Sequence, residues 1–240
     1  MDKCSALTAD QVGSFLTELR VDSICVALGN SCVRESNCRP ALSETGTRPS
    51  GILYVGRIDR SKKIGVLLES FAMIADECSS VNLVIVGDGD ERSKLEKDYQ
   101  SLVDRNRLKF KGWLWDESAL RACYEEALYT VSPGYGGLNI IQSFAYGVPI
   151  AVPVGENHSP EIEACVDGVN ALWFDKEDVS SLAKLMERFE LEGDAWYGRR
   201  SEISLWTRNR YTIEGMVSQF VKVLSLMKSR ETKLSSGNVI

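Results

Sequence analysis

Val131-Ser132-Pro133-Gly134-Tyr135-Gly136-Gly137-Leu138-Asn139-Ile140-Ile141-Gln142-Ser143-Phe144-Ala145-Tyr146-Gly147-Val148-Pro149 reads as a strand end, a glycine loop, a short helix and a stop. Gly134, Gly136 and Gly137 permit positive φ and a close approach of backbone to ligand. A helix opening at Leu138 turns its unpaired N–H groups and positive dipole end toward the same point. Phosphate is the ligand class this arrangement suits. Composition alone also allows a glycine-rich turn that serves only tight packing. The helix is expected to run from Leu138 to about Tyr146, with Gly147 and Pro149 ending it before a strand at Ile150.

Working outward, apolar runs alternate with helical patterns. Ile52 to Val55 and Leu83 to Val86 are short strands on either side of a helix over Ile64 to Cys78. A charged helix from Asp90 to Asp104 leads to a strand at Leu108 to Phe110, and a helix over Glu117 to Ala127 leads to a strand at Leu128 to Val131. Ile150 to Val154 and Ala171 to Phe174 supply two more strands, followed by a helix over Val179 to Glu190. The alternation implies an α/β fold with a doubly wound parallel sheet. Terminal helices are expected at Ala195 to Arg208 and Ile213 to Lys228, and the polar tail 229–240 is expected to fray.

At the other end, Thr8 can cap a helix over Ala9 to Arg20, a strand follows at Ser23 to Leu28, and Gly29 to Pro49 reads as an irregular linker. One helix and one strand cannot bury a core of their own, so residues 1–48 read as the tail of something larger. The compact domain then spans 49–192 and the terminal helices 193–228.

With 240 residues, 44 % apolar and 26 % charged, the chain is ordinary for a soluble globular protein. Its net charge of -6 argues against a general affinity for nucleic acid but permits a local basic site. No apolar run is long enough to span a membrane and the first residues do not begin a secretory signal, so the expected location is cytoplasmic. Seven cysteines show no C-x-x-C pair, and His158 is the only histidine; reduced thiols are expected and zinc is not.

In a sheet of this kind ligands bind at the carboxyl ends of the strands, so the loops after Val55, Val86, Val131 and Val154 should gather along one edge. The first, Gly56-Arg57-Ile58-Asp59-Arg60-Ser61-Lys62-Lys63, brings Arg57 and Lys62 within reach of a phosphate. The bland alternative is a solvated basic loop. Asp88 and Asp90 invite a metal reading, but the flanking glycines favour a turn and a helix cap for them, so no metal is expected. Gly87-x-Gly89 lacks the third glycine of a dinucleotide fingerprint, since Arg92 stands there, and no Walker-type Gly-Lys-Ser/Thr occurs. His158 reads as a surface group, Glu161 and Glu163 as side chains that diverge, and Trp113 with Trp115 as packing or part of a nucleobase wall.

The order Tyr54-Val55-Gly56-Arg57, Lys62, Ile85-Val86-Gly87-Asp88-Gly89, Phe110-Lys111-Gly112, Ser132-Pro133, Ala145-x-Gly147-x-Pro149 and Glu161-Ile162 resembles the donor half of group 1 (family 4) GT-B glycosyltransferases over about residues 50–190. The resemblance implies a Rossmann-like domain that binds a nucleotide diphosphate sugar. It further implies transfer of a hexosyl unit, with retention, to a saccharide or lipid-linked acceptor in polysaccharide or glycoconjugate synthesis. Arg57 and Lys62 match the basic pair that neutralises the departing diphosphate without a metal or other cofactor. The backbone at Gly136, Gly137 and Leu138 matches the helix-start cradle, Gly56 lies in the first loop, and Glu161 matches a position at donor or acceptor. The family's two glutamates fall at Gly134 and Gln142. Gln142 can still hydrogen-bond a ribose, whereas Gly134 has no side chain for a sugar, and Tyr135 or Asn139 are the substitutes nearby. Asn30 falls where such enzymes leave the acceptor domain, so the partner expected is an N-terminal acceptor domain on a further segment or a separate chain. The full-length protein would be cytoplasmic or membrane-peripheral. A nucleotide-binding module without catalysis is the second reading.

Overall fold

Five short apolar runs and one alternating segment become strands: β1 (Gly51–Val55), β2 (Leu83–Val86), the alternating β3 (Leu108–Gly112), β4 (Ala127–Val131), β5 (Ile150–Val154) and β6 (Ala171–Asp175). All neighbours pair in parallel in the order β3-β2-β1-β4-β5-β6. From β1 the chain winds outward to β3, then returns to β4 beside β1 and winds the other way to β6. The reversal between β1 and β4 makes the loops leaving those two strands diverge, and the crevice between them is where such a sheet admits a ligand. Strands covered on both faces need no polar alternation; every residue of β4 is buried. The computed structural model describes residues 31–43 and 46–235, so the helix expected over Ala9 to Arg20 and the strand at Ser23 to Leu28 lie outside the described residues.

Helices cover both faces. On one, α1 (Ile64–Ile74) and α6 (Val179–Leu191) pack together, with Phe71, Ile52, Tyr54 and Phe189 in a single cluster; the Tyr129 and Phe189 rings stack 4.0 Å apart. On the other, α5 (Leu138–Ala145) packs against α8 (Arg200–Arg208) through Ile140, Phe144 and Ile203. Full burial of each such side chain contributes about 1.5–3 kcal/mol. Between these, α2 (Arg92–Asp98), α3 (Gln100–Asp104), α4 (Glu117–Glu126) and α7 (Gly193–Gly198) are shorter, and α9 (Ile213–Ser235) closes the chain.

Several boundaries differ from the sequence pattern. The helix expected to reach Cys78 stops at Ile74, because the Arg107 guanidinium takes up the carbonyls of Ala75, Cys78 and Val81 and stabilises a turn there. The helix expected over Asp90 to Asp104 begins at Arg92 and breaks at Tyr99, with Leu95 and Leu102 buried on either side of the break. Asp90 does not cap it. Asp88 accepts from Gly89 N–H at 2.8 Å and from Arg92 Nη1 at 3.0 Å instead. Ala195 to Arg208 is two helices, α7 and α8, divided at Arg199.

The irregular run before β1 is tied down. Ala41 N–H donates to Tyr146 O at 2.7 Å, Ser31 Oγ to Tyr211 O at 2.8 Å, and Ile213 N–H to Val33 O at 2.9 Å, while Val33 and Cys38 enter the core beside α5. Cys32, Cys38, Cys78, Cys123 and Cys165 are free thiols. Among the described residues no helix is long and apolar enough to cross a membrane.

Candidate functional site

A cleft of about 940 Å³ opens at the β1/β4 switch point. One wall is the loop after β1, whose shape depends on the glycines after β2. A Cβ on Gly87, which has φ +135, would stand 1.8 Å from Gly56 O, and one on Gly89 would stand 2.1 Å from Ile58 O. Backbone therefore crosses backbone there, stitched by Gly56 N–H to Val86 O and Ile58 N–H to Asp88 O at 3.0 and 2.9 Å. This is the physical reason for the Gly87-x-Gly89 spacing.

The basic loop divides its charges. Lys63 turns away into an ion pair with Glu156 and Glu177, both at 2.5 Å, while Arg57 and Lys62 line the cleft. The Arg57 side chain is 72 % exposed, and its Nε lies 3.9 Å from Asp59. Lys62 is half-buried; its Nζ donates to Tyr135 O at 2.8 Å and stands 4.6 Å from the centre of the Tyr135 ring. Burial holds its ammonium below the usual lysine range, with Arg57 acting the same way and Asp59 against it. For Asp59, burial alone would raise the pKa. The hydrogen bonds from Ser61 and the charges of Lys62 and Arg57 outweigh that and hold it below the usual carboxylate range. The cleft thus keeps two cations and one fixed carboxylate on this wall.

The opposite wall is the start of α5. Gly137 N–H is taken by Asn139 Oδ1 at 2.9 Å, and Leu138 and Asn139 N–H have no acceptor among the described residues. These are the donors a helix start leaves for an anion. Gly136 behaves differently from the expected cradle, because its N–H is given to His158 Nδ1 at 3.0 Å and its carbonyl accepts from Ser159 N–H and Oγ at 3.0 and 2.9 Å. His158 is therefore not a loose surface group. Gly134 is also not open to the cleft. It is buried with Ser61 O 2.4 Å from where a Cβ would stand, and Tyr135 N–H donates to Ser61 O at 3.2 Å, so at this position the two walls touch.

Of the residues proposed from sequence, Gly56, Arg57, Lys62, Tyr135, Gly137, Leu138, Asn139 and Glu161 line the one cleft. Gly134, Gly136 and Gln142 do not. Gln142 faces a smaller adjoining pocket of about 150 Å³ beside Trp115 and Tyr146, and its Oε1 accepts from the buried Tyr124 hydroxyl at 3.3 Å. Gln142→Ala would leave that hydroxyl without its acceptor, a loss of about 1–2 kcal/mol. The melting temperature is expected to fall by roughly 2–8 °C, at about 2–4 °C per kcal/mol for a chain of this size. An unchanged melting temperature in calorimetry would show that the Tyr124 hydroxyl has another acceptor.

The cleft also takes in Tyr54, Asp59, Ser61, Ser159 and Pro160, which sequence reasoning did not assign to it, and Trp113, one of the two tryptophans read as packing or part of a nucleobase wall. Trp113 and Trp115 are 47 % and 90 % exposed, their ring centres 6.1 Å apart, so neither is core packing. Glu161 is buried, its Oε2 accepting from the Ser159 hydroxyl. Asp88 is engaged by Arg92. Among the described residues no three His, Cys, Asp or Glu side chains converge as a metal site would require.

The sequence matches the family described as glycosyl transferases group 1 over residues 43–202. The lipopolysaccharide core biosynthesis glycosyltransferase LpsE of Rhizobium meliloti (strain 1021) is 28 % identical over 137 residues, which is 57 % of this chain and 38 % of that protein. Sucrose-phosphate synthase from Thermosynechococcus elongatus superposes with a TM-score of 0.71 at 22 % identity, over 93 % of this chain and 58 % of that one. HepE of Anabaena in complex with UDP gives 0.64 at 16 %, over 80 % and 55 %. The chain thus spans well under two thirds of the length of each. A switch-point cleft between a cationic loop and a helix start, in a sheet of this order and under a family match over most of its length, makes this chain a member of the group 1 glycosyltransferases.

Proposed function

We propose that the cleft binds a nucleotide diphosphate sugar and that the chain is the donor-binding part of a hexosyltransferase, acting with retention on a saccharide or lipid-linked acceptor. The observation that carries the reading is the pairing across the cleft of Arg57 and Lys62 with the open N–H groups of Leu138 and Asn139. Two cations and a helix start suit a diphosphate, and the same groups stabilise the charge that grows on it as the glycosidic bond breaks. The neighbour HepE holds UDP, and LpsE is named for lipopolysaccharide core synthesis, which supports a nucleotide-linked donor and a glycoconjugate product. Acceptor-binding groups belong in this reading to an N-terminal domain.

Calorimetry with UDP, GDP and ADP tests it: saturable heat is expected with at least one. No heat with any at millimolar concentration, the weak end of the affinity scale, would end the reading. Binding is expected to be unchanged in EDTA, since Asp88 is engaged by Arg92 and the cations do the neutralising. A loss of affinity in EDTA that magnesium or manganese restores would overturn the metal-free form of the proposal.

The second reading, a nucleotide-binding module without catalysis, is favoured by one observation: Gly134 offers no side chain to a donor sugar and is pressed against Ser61 O. The two readings differ in what the sugar adds. A donor site discriminates between nucleotide sugars that differ only in the hexose, and a module that recognises only the nucleotide binds them alike.

A further inference from the structure

Gly136 is pinned by the two residues that follow Asn157 in the loop after β5. Its N–H donates to His158 Nδ1 at 3.0 Å, and its carbonyl accepts from Ser159. A Cβ on Gly136 would lie 3.1 Å from His158 Nδ1, so the ring packs directly on this glycine. The other ring nitrogen, Nε2, lies 2.9 Å from Pro153 O. These partners fix the tautomer. A carbonyl only accepts, so Nε2 carries the hydrogen; an amide N–H only donates, so Nδ1 carries the lone pair. A second proton has nowhere to go but Nδ1, where it would face the Gly136 N–H and break that bond.

We propose that His158 is a positioning residue for nucleotide binding: its neutral ring holds Gly136 so that the start of α5 presents Leu138 and Asn139 N–H to the cleft, and its protonation releases the loop. The proposal rests on the nucleotide-binding reading given above. His158 does not itself line the cleft, so it acts through the glycine loop. The charged groups around the ring are Glu156 on its own loop, Lys62 from the loop after β1 and Lys176 after β6. Burial, the largest influence, pushes the imidazole below its usual range; the Pro153 carbonyl and Glu156 pull it up, and Lys62 and Lys176 push it down. Glu156 is itself paired with Lys63 and Lys176. The direction follows: with the folded-state pKa depressed, the held loop persists above the ordinary value of about 6.5 and is lost as pH falls through the lower folded value.

His158 is the only histidine, so its ring gives one set of imidazole resonances. In the ligand-free protein, ¹⁵N spectra are expected to show the Nε2–H tautomer at pH 8, and the Gly136 amide is expected to titrate together with the ring as pH is lowered. An Nδ1–H tautomer, or a Gly136 amide that ignores the ring titration, would overturn the proposal.

Calorimetry with whichever of UDP, GDP and ADP binds tightest supplies the second arm. His158→Asn can place Oδ1 where Nδ1 stood and does not titrate, so it is expected to bind within about twofold of the parent at pH 8. His158→Phe keeps a ring without an acceptor and is expected to bind roughly five- to tenfold more weakly. On acidification the parent should lose affinity relative to His158→Asn; comparing the two cancels the titration of the ligand's own phosphate. Equal binding by His158→Phe and the parent, or a parent that gains affinity over His158→Asn in acid as a cation acting directly on phosphate would, refutes it. If the parent binds no nucleoside diphosphate at pH 8, the nucleotide reading fails, and the ring and amide titration still decides whether His158 holds the loop.

Discussion

Lys62→Ala is expected to weaken nucleoside diphosphate binding by roughly ten- to a hundredfold, and Arg57→Ala by much less. Both cations line the cleft, but they are not equivalent. The Arg57 side chain is 72 % exposed, so water and salt screen whatever it contributes, and exposed charge contacts are typically worth about 1 kcal/mol or less. Lys62 is half-buried between the Tyr135 carbonyl and ring, where its charge is less screened and its position already fixed. A hydrogen bond to a charged group in such a setting contributes about 1.5–3 kcal/mol, which is the stated range of affinity. Nucleoside without phosphate should bind Lys62→Ala and the parent alike. Calorimetry with both ligands decides, and a Lys62→Ala protein that keeps the parent's affinity for the diphosphate would place the phosphates elsewhere in the cleft.

The unequal roles of the two cations were not legible in the sequence, whereas their shared edge of the sheet was. Five of the strands could be read from runs such as Leu83 to Val86, because a parallel strand covered on both faces needs no polar residue and leaves an apolar signature, and the edge strand β3 from the alternation of Leu108 and Phe110 with Lys109 and Lys111. Glycine and proline marked the ends of α5 for the same local reasons. What could not be read is what tertiary contact decides. The break at Tyr99 has no glycine or proline to announce it and accompanies the burial of both Leu95 and Leu102. Gly87 and Gly89 announced a turn, but not that the Gly56 to Ile58 backbone lies across them. The four-residue spacing of Leu138 and Gln142 placed them on one face of α5. That face runs on past the cleft, and the Tyr124 hydroxyl, eighteen residues earlier in the chain, claims the Gln142 amide. A lone histidine has no pattern at all, so His158 acquired its role only once Gly136 and Pro153 were seen on either side of it.

Arg200 is the residue whose loss is expected to cost the fold most, and nothing in the local sequence of α8 marks it. It is fully buried. Its Nη1 donates to Ala41 O and, at 3.3 Å, to Tyr124 O; its Nη2 donates to Ala127 O, and the guanidinium lies 5.0 Å from the centre of the Tyr197 ring. One side chain thereby joins the run before β1, the last turn of α4, the first residue of β4 and α8. Among the described residues no carboxylate pairs with it. Its charge is balanced by carbonyls, including one at the negative end of α4, and burial pushes its pKa down to about 10. In Arg200→Ala three buried carbonyls lose their donor and the side chain leaves a cavity. Each orphaned acceptor costs about 1–3 kcal/mol, set against the relief of no longer burying a charge. The net loss is expected to be about 3–5 kcal/mol, a fall in melting temperature of roughly 6–20 °C. Arg200→Lys should recover little of it, since one ammonium cannot reach carbonyls spread across a planar fork. Urea unfolding of the two variants measures this directly. A loss below about 1 kcal/mol for Arg200→Ala would mean that water enters to replace the guanidinium, and that the run before β1 is held by its apolar contacts alone.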